Sequence, residues 1–531
     1  MSEADEKTPS RSTAPDEESL QRVRDLIGEK SFDAARDILL NLVSRREASA
    51  EAYNLLGNIR MTSCAFSEAR KCYESALSMN PDYPEALNNL ANVHNHCARV
   101  DDAIRCYKRA LELRPDLDKV RSNMLLSMNY SSTVNRDELL QASREWYRQH
   151  CRHLAPVTFR TPPIPGKRLT IGYVSYDFRH HPVGFLFPKV VQNHDRESFR
   201  VICYSTNPLV DSFTRELMQT TEWRDMSGAD DDALVGTIVH DNVDILVDLS
   251  GHTAGNRLTV FARRPAPVQV SWIGYYNTTG IPQMDYHITD NLTVPAGEEK
   301  WFAEEVVRLD GSRFCYAPPP YAPPVSELPC LRTGRITFGS FNNLAKLNRE
   351  VVLTWSRLLD AVPDSRLILK WPSLQEESVR HECAAMFGVL GINGDRLELR
   401  AASRHADMLR EYGDIDMALD PFPYSGGMTS LEALWMGVPV MTLPLSGPAS
   451  RQSASFLHLL GLENYISSSV DEYVALGKDN ALNGKRLAMT RSILRLRVDR
   501  TLCDGKGFMR QVESRYRAMW ERYVTGNSAV P

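Results

Sequence analysis

Between about Ser19 and Leu117 the chain repeats itself every 34 residues, and nothing else in it narrows the possible folds so far. Ala52 pairs with Ala86, Asn54 with Asn88, Leu56 with Leu90 and Asn58 with Asn92. Further on, Ala69 pairs with Ala103, Tyr73 with Tyr107, Ala76 with Ala110 and Pro81 with Pro115. A weaker earlier copy keeps Ala35, Leu39 and Leu42. Each unit reads as two amphipathic helices. Gly57/Ala91 and Ala69/Ala103 are small where the helix backbones must approach, and Pro81 and Pro115 cannot continue a helix and so set its boundary.

A 34-residue period of this kind is the tetratricopeptide signature, and stacked units form a superhelix with a concave groove. The groove reads as a binding surface for protein or peptide acceptors. Asn54, Asn58, Asn88 and Asn92 recur on one helical face, where amides can bond a peptide backbone whatever its sequence. Two alternatives stay open: a repeat scaffold that only solubilises or dimerises, and asparagines that merely cap or bridge neighbouring repeats. Residues 1–18 are polar, charged and Pro/Ser-containing without an apolar stretch, and read as a disordered tail, not a signal peptide. Repeats then occupy 19–117 and a helical connector 118–167, in which Trp146 and Tyr147 are expected to dock onto the adjoining domain.

A net charge of −5 provides no field for nucleic acid or an anionic membrane. No apolar run reaches the roughly 18 residues needed to span a bilayer. The ten cysteines carry no CxxC pairing and read as buried reduced thiols, which places the chain in the cytoplasm, with no metal site expected.

From Arg168 the periodicity changes. Leu169–Val174, Phe199–Tyr204, Asp244–Leu249, Val268–Ile273 and Tyr286–Ile288 read as strands alternating with helices, and runs such as Ile245, Leu246 and Val247 suit a parallel strand buried on both faces. This first lobe covers 168–316. A Pro-rich stretch, 317–334, reads as an extended linker. A second series occupies 335–506: Ile336–Phe341, Arg366–Trp371, Arg396–Leu399, Asp416–Leu419 and Val438–Leu443. A final helix in 507–531 has an apolar stripe at Phe508, Val512, Tyr516, Met519, Trp520 and Tyr523, and is meant to be buried. The fold class is thus a repeat superhelix followed by two doubly wound α/β lobes, with a cleft at the strand ends where such sheets place nucleotides. Neither a P-loop nor a GxGxxG follows a first strand, which argues against an ATPase or dehydrogenase.

The sharpest local signal runs from Leu419 to Val440. A strand ends near Asp420, a Gly-rich loop holds Gly426 and Gly427, and a helix starts at Met428. N–H groups at such a start attract phosphate, with Thr429 a further donor and Glu432 one turn on, where a carboxylate can bind ribose.

This stretch resembles the donor-binding motif of the tetratricopeptide O-linked N-acetylglucosamine transferases, a family that includes the Spindly-type O-fucosyltransferases. Gly172–Pro182, Leu246–Thr253, Arg264–Tyr275 with Thr279-Gly280, and Phe338–Lys346 agree with it in the same order. The resemblance covers nearly the whole chain, which is similar to bacterial-type homologues. It implies a GT-B pair of Rossmann-like lobes whose last helix crosses back onto the first lobe.

The resemblance also implies roles. Lys346 matches the diphosphate-binding lysine, and Asn343 a donor-contacting glutamine that is one methylene longer. Asp177 and His181 match the active-site acid and histidine. Arg404 falls near a base-contacting lysine, and Gly274 lines the sugar pocket. Asp248 and His252 are secondary candidates, with a structural role equally open. There are departures. The family's His-Thr-Thr at the helix start is Gly427-Met428-Thr429, its ribose aspartate is Glu432, a proline of the sugar-pocket turn is Tyr276, and a histidine after the repeats is Arg121.

The expected activity is inverting transfer of a sugar, by default N-acetylglucosamine from UDP-GlcNAc, to Ser/Thr of proteins, with no cofactor and no metal. O-fucosyl or glucosyl transfer, a lipid or glycan acceptor, and a non-catalytic scaffold remain alternatives. A homodimer is left open.

Overall fold

The computed structural model describes residues 14–159, 162–392 and 394–526. Its N-terminal part is four antiparallel helix pairs: α1 (Ala14–Gly28) with α2 (Phe32–Ser44), α3 (Ala50–Thr62) with α4 (Phe66–Met79), α5 (Pro84–His96) with α6 (Val100–Leu113), and α7 (Asp118–Met128) with α8 (Arg136–His150). The expected tail of 1–18 needs correcting: α1 already starts at Ala14, and residues 1–13 lie outside the described ones. A proline in the first turn of a helix costs no hydrogen bond, and acidic residues there suit the positive end of its dipole. The small residues do what their spacing predicts. A Cβ on Gly57 would stand 2.5 Å from the Tyr73 ring, so α3 and α4 meet at a distance only glycine allows.

The first lobe is a seven-stranded parallel sheet built from β1 (Leu169–Ser175), β2 (Phe199–Ser205), β3 (Glu222–Asp225), β4 (Ile245–Asp248), β5 (Val268–Ser271), β6 (Tyr286–Asp290) and β7 (Glu305–Leu309), in the order 3-2-1-4-5-6-7. The second is a five-stranded parallel sheet of β8 (Thr337–Ser340), β9 (Arg366–Lys370), β10 (Leu397–Arg400), β11 (Met417–Leu419) and β12 (Val440–Met441), in the order 10-9-8-11-12. These are the two doubly wound lobes expected. β3 and β7 escape a search for buried apolar runs because they are edge strands with half-exposed residues. The Pro-rich stretch needs a second correction: Pro329–Thr333 forms a short helix, ended by Gly334 at φ +68°.

The last helix, Gly505–Val524, lies on the first lobe. Its Phe508 ring stacks on Trp272 at 5.9 Å, Glu513 pairs with the buried His194 at 2.8 Å, and Arg517 donates to the Ser198 carbonyl.

The repeats are not a free arm. α5–α8 share one hydrophobic core with a face of the first sheet, including Val174, Ile202 and Leu246. On the other side α4 meets the second lobe. Glu376 accepts from the Ser67 N–H at 2.9 Å, Glu382 pairs with Arg70 and Arg99, and α5 packs on the turn Leu344–Lys346. Among the described residues no helix is long and apolar enough to cross a membrane.

Candidate active site

In a doubly wound sheet the strand order reverses at one point, and the crevice beyond the strand ends there is the natural ligand site. The first lobe reverses between β1 and β4, the second between β8 and β11. Nearly all the candidate residues follow one of these four strands.

In the second lobe, Asp420 follows β11 and is buried. It accepts from the Gly426 N–H at 2.5 Å and from the Thr442 hydroxyl at 2.7 Å, which pulls the loop 421–427 into a tight return. Burial raises its carboxyl above the usual range. The next helix, Met428–Trp435, has no side-chain cap, so its first N–H groups stay open at the positive end of the dipole. Lys346 comes from the turn after β8. Its Nζ donates to Ser425 O at 2.8 Å and Asn342 Oδ1 at 3.1 Å, and lies 4.7 Å from the Tyr424 ring centroid. Burial pushes its ammonium down to about 8. Thr429 donates to the same Asn342 oxygen at 2.9 Å. Lys346 and Thr429 are therefore joined through Asn342, and Ser425, which accepts from the lysine, leads directly into Gly426 and Gly427. Asn343 caps the lysine's turn by accepting from the Ala345 N–H at 3.0 Å. The Met428 side chain is partly buried against the core.

Glu432 is buried one turn into the helix, with His405 Nε2 at 2.7 Å, and burial raises its carboxyl. His405 in turn meets the Tyr321 hydroxyl at 2.8 Å and the Phe185 ring of the first lobe at 5.0 Å. Arg404 lies apart from this group. Its side chain is 89% exposed and paired with Asp407, while its neighbour His405 turns inward.

In the first lobe, Asp177 lies just past β1 and is buried, with Arg179 at 3.3 Å and His181 Nδ1 at 3.5 Å. Burial pushes the Asp177 carboxyl up to about 6, with Arg179 opposing, and pushes His181 down to about 4. At neutral pH this is a carboxylate beside a neutral imidazole. Gly274 follows β5, where a Cβ would stand 2.0 Å from Leu249 O, so the turns after β4 and β5 can touch only through glycine. Asp248 and His252 prove structural. Asp248 accepts from the Ser250 and Gly251 N–H groups. His252 is 1% exposed, bonded to Ser122 and Thr279 O, with its ring against Trp146. It fastens the connector to the lobe.

The repeat asparagines are bonded within the superhelix. Asn89 donates to Asn54 and Asn58, Asn54 reaches Tyr83, Tyr73 and Tyr107 donate to Asn58 and Asn92, and Asn123 donates to Asn88. This is a ladder between and within repeats, in which Asn58 and Asn92 act as acceptors. Arg121, similarly, contacts His150 and Pro115 O beside the connector.

Three aromatic residues close the cleft. The Tyr130 ring, from the connector, stacks on Tyr424 at 4.6 Å, and Tyr276 of the first lobe meets Tyr424 edge-on at 5.7 Å. Arg313 lies over Tyr276 at 4.7 Å. Sequence reading misses Tyr130, His405 and Arg313, which are far apart in the chain and carry no motif; Asn342 lies inside the matching stretch Phe338–Lys346 but is given no role there. Asp420 and Tyr424 lie inside the Gly-rich stretch, but nothing in its pattern assigns them a role.

Comparison with known proteins agrees with this layout. The model of "Glycosyl transferase family 41" matches residues 148–315 and 328–512, and tetratricopeptide models match 50–83 and 84–117. The chain is 40% identical over 411 residues to a tomato protein named "Probable UDP-N-acetylglucosamine--peptide N-acetylglucosaminyltransferase SPINDLY", covering 76% of this chain and 44% of that one. It is 31% identical over 412 residues to the Arabidopsis thaliana counterpart named SEC, covering 73% and 42%. The chain thus matches less than half the length of these relatives. A solved structure, a Lys-to-Met mutant of the Thermobaculum terrenum O-GlcNAc transferase, superposes with a TM-score of 0.90 at 33% identity, covering 98% of this chain and 100% of that one.

Proposed function

The chain belongs to glycosyl transferase family 41, and from that premise we propose that it is a protein O-glycosyltransferase. It moves a sugar, by default N-acetylglucosamine from UDP-GlcNAc, onto Ser/Thr hydroxyls of protein acceptors. The observation that carries this reading is Lys346 Nζ held 2.8 Å from Ser425 O at the mouth of an uncapped helix. An ammonium and a row of open N–H groups facing one spot make a diphosphate site.

In the proposed reaction the acceptor oxygen attacks the sugar's C1 in line, a C1–O(acceptor) bond forms, and the C1–O(phosphate) bond breaks with its electron pair leaving on the nucleoside diphosphate. The configuration at C1 inverts. Lys346 and the helix start meet the charge that develops on the leaving group. The hydroxyl proton passes to the Asp177–His181 pair, an ionised carboxylate beside a neutral imidazole. Glu432, with His405, is assigned to the ribose hydroxyls, and Gly274, which lets the turns after β4 and β5 meet, to the wall of the sugar pocket. No resident cofactor or metal is assigned a role. The names of the relatives, which specify UDP-N-acetylglucosamine and a peptide acceptor, support the same donor and acceptor class.

Gly427 and Met428 favour one alternative, a binding-only scaffold, because they remove an imidazole and a hydroxyl from the phosphate entrance. Thermal unfolding with UDP, GDP and their sugars separates the readings. A ligand at 100 times its dissociation constant adds about 2.7 kcal/mol. A UDP-selective shift together with slow hydrolysis of UDP-GlcNAc is expected. A shift without any hydrolysis or transfer leaves the scaffold, a GDP-selective shift moves the assignment to fucosyl transfer, and no shift at all defeats the nucleotide site.

A further inference from the structure

Gly427 has no room for a side chain. A Cβ there would stand 2.6 Å from Gln452 Oε1 and 3.0 Å from the Tyr276 hydroxyl. The space that a side chain at the helix start would fill is thus held by two polar groups from elsewhere. One comes from the helix Gln452–Leu459 of the same lobe, the other from the turn after β5 in the opposite lobe.

Both groups arrive without partners. Gln452 is 1% exposed, and its Nε2 donates to Ala449 O at 3.0 Å, which fixes the orientation of the amide. Its Oε1 is buried and accepts nothing. A buried carbonyl left without a donor is costly, and in a cleft it marks a place where a ligand supplies one. The Tyr276 hydroxyl likewise makes no hydrogen bond among the described residues, although its ring is held closely. Phe314 lies edge-on at 6.1 Å, Tyr424 at 5.7 Å, and the Arg313 guanidinium covers one face at 4.7 Å. Arg313 is itself fully buried, and among the described residues no carboxylate bonds its guanidinium, although Asp290 accepts from its backbone N–H at 3.1 Å. It donates to Tyr275 O, and its Nε and Nη1 are unpaired. A desolvated guanidinium over an aromatic face is a strong clamp on that ring.

The chemistry of the pair distinguishes the parts of a nucleotide sugar. Diphosphate oxygens only accept, so a bare carbonyl oxygen repels them. Sugar hydroxyls and an acetamido N–H donate, so the same carbonyl attracts them. We propose that Gln452 Oε1 and the Tyr276 hydroxyl bind the transferred sugar beside Gly427. The amide accepts from a sugar hydroxyl or N–H, the phenol bonds a second sugar oxygen, and Arg313 is the positioning residue that holds the phenol in place. This rests on the nucleotide-sugar reading of the cleft and adds to it the groups that recognise the sugar.

The test is calorimetric titration of the full chain and two near-isosteric variants, Gln452→Met and Tyr276→Phe, with UDP and with the UDP-sugar that the unaltered protein binds best. Each variant is expected to weaken the UDP-sugar roughly 5- to 10-fold, the cost of one buried hydrogen bond unmade, with UDP itself within twofold. Equal affinity for the UDP-sugar, or an equal loss for both ligands, overturns the proposal. No nucleotide binding by the unaltered protein overturns the reading of the cleft itself, a distinguishable result. Arg313→Lys keeps the charge but loses the planar stack. It is expected to weaken the UDP-sugar when Tyr276 is present and to have no further effect on the Tyr276→Phe chain. The same effect in both backgrounds would make Arg313 merely structural.

Discussion

Replacing Lys346 by Met keeps the side chain's length and removes one charge, so it separates what the ammonium does for the fold from what it does for the leaving group. In the free protein the ammonium has only neutral acceptors, Asn342 Oδ1 and Ser425 O, with Asp420 the charge that opposes its loss. Burial has moved its pKa from 10.5 to about 8. At 1.36 kcal/mol per unit that is at most about 3 kcal/mol held against the fold, and less in proportion to the side chain's partial exposure. Lys346→Met is therefore expected to leave the melting temperature unchanged or raise it at pH 7. The sign also gives a pH dependence. The folded pKa lies below the unfolded one, so the unfolded chain binds more protons between about 8 and 10.5, and stability rises with pH across that window. Catalysis runs the other way. The loss of one preorganised donor to a developing anion costs about 10²- to 10³-fold in turnover. The kcat/KM of the unaltered enzyme should fall above pH 8 as free Lys346 loses its proton, while kcat holds to higher pH because bound diphosphate keeps the ammonium charged. Initial rates and thermal melts from pH 7 to 10 on both proteins check all of this. Turnover of Lys346→Met within threefold of the unaltered enzyme would refute the role, as would a flat kcat/KM through pH 10.

Two further outcomes are expected. Asp177→Asn removes a carboxylate whose folded pKa, about 6, lies above its ordinary 3.8, so that the native form gives up stability as pH rises through that range. The variant should melt higher at pH 7 yet turn over at least about 10²-fold more slowly, and it should lose the acid limb of kcat/KM near pH 6. Glu376→Ala frees the Ser67 N–H in the first turn of α4, a helix whose own N-cap position, Ala65, offers no side-chain acceptor. It should cost about 1 kcal/mol of stability, read by chemical denaturation, as the loss of a helix cap does.

The architecture was legible because its signals are periodic. Pairs 34 residues apart predict α3–α6, and unbroken apolar runs predict the central strands, since both patterns stem directly from how a helix pair or a parallel strand is buried. The edges of the first sheet were not legible: β3 is half-exposed and has no such run. At the cleft, Lys346 and the glycine-lined entrance came from a contiguous stretch and its resemblance. The resemblance also placed Tyr276 at the sugar-pocket turn, but Tyr130, Arg313, His405 and Gln452 reach the site only through tertiary packing. The asparagine face misled for a related reason. Helical spacing shows that four amides share a face, but it does not show that Asn89 and the tyrosines of each pair already reach them.

The packing of the repeats changes how their role has to be tested. Deleting them is the direct way to ask whether they serve a protein acceptor, but here it would confound two effects. α5 packs on the turn that carries Lys346, and Tyr130, just beyond α7, stacks on Tyr424, whose ring lies against the lysine. The repeats and the connector that follows them therefore touch the diphosphate site from two sides. A chain without repeats would bare the lobe surface that Phe66, Leu90 and Val93 cover, and it would lose the walls that set the position of the ammonium. Loss of protein glycosylation in such a chain would say nothing about acceptor recruitment. Substitutions that separate the two belong on the part of the superhelix most remote from this contact, α1 to α3, whose core is a separate cluster of Leu20, Val23, Leu39 and Leu56.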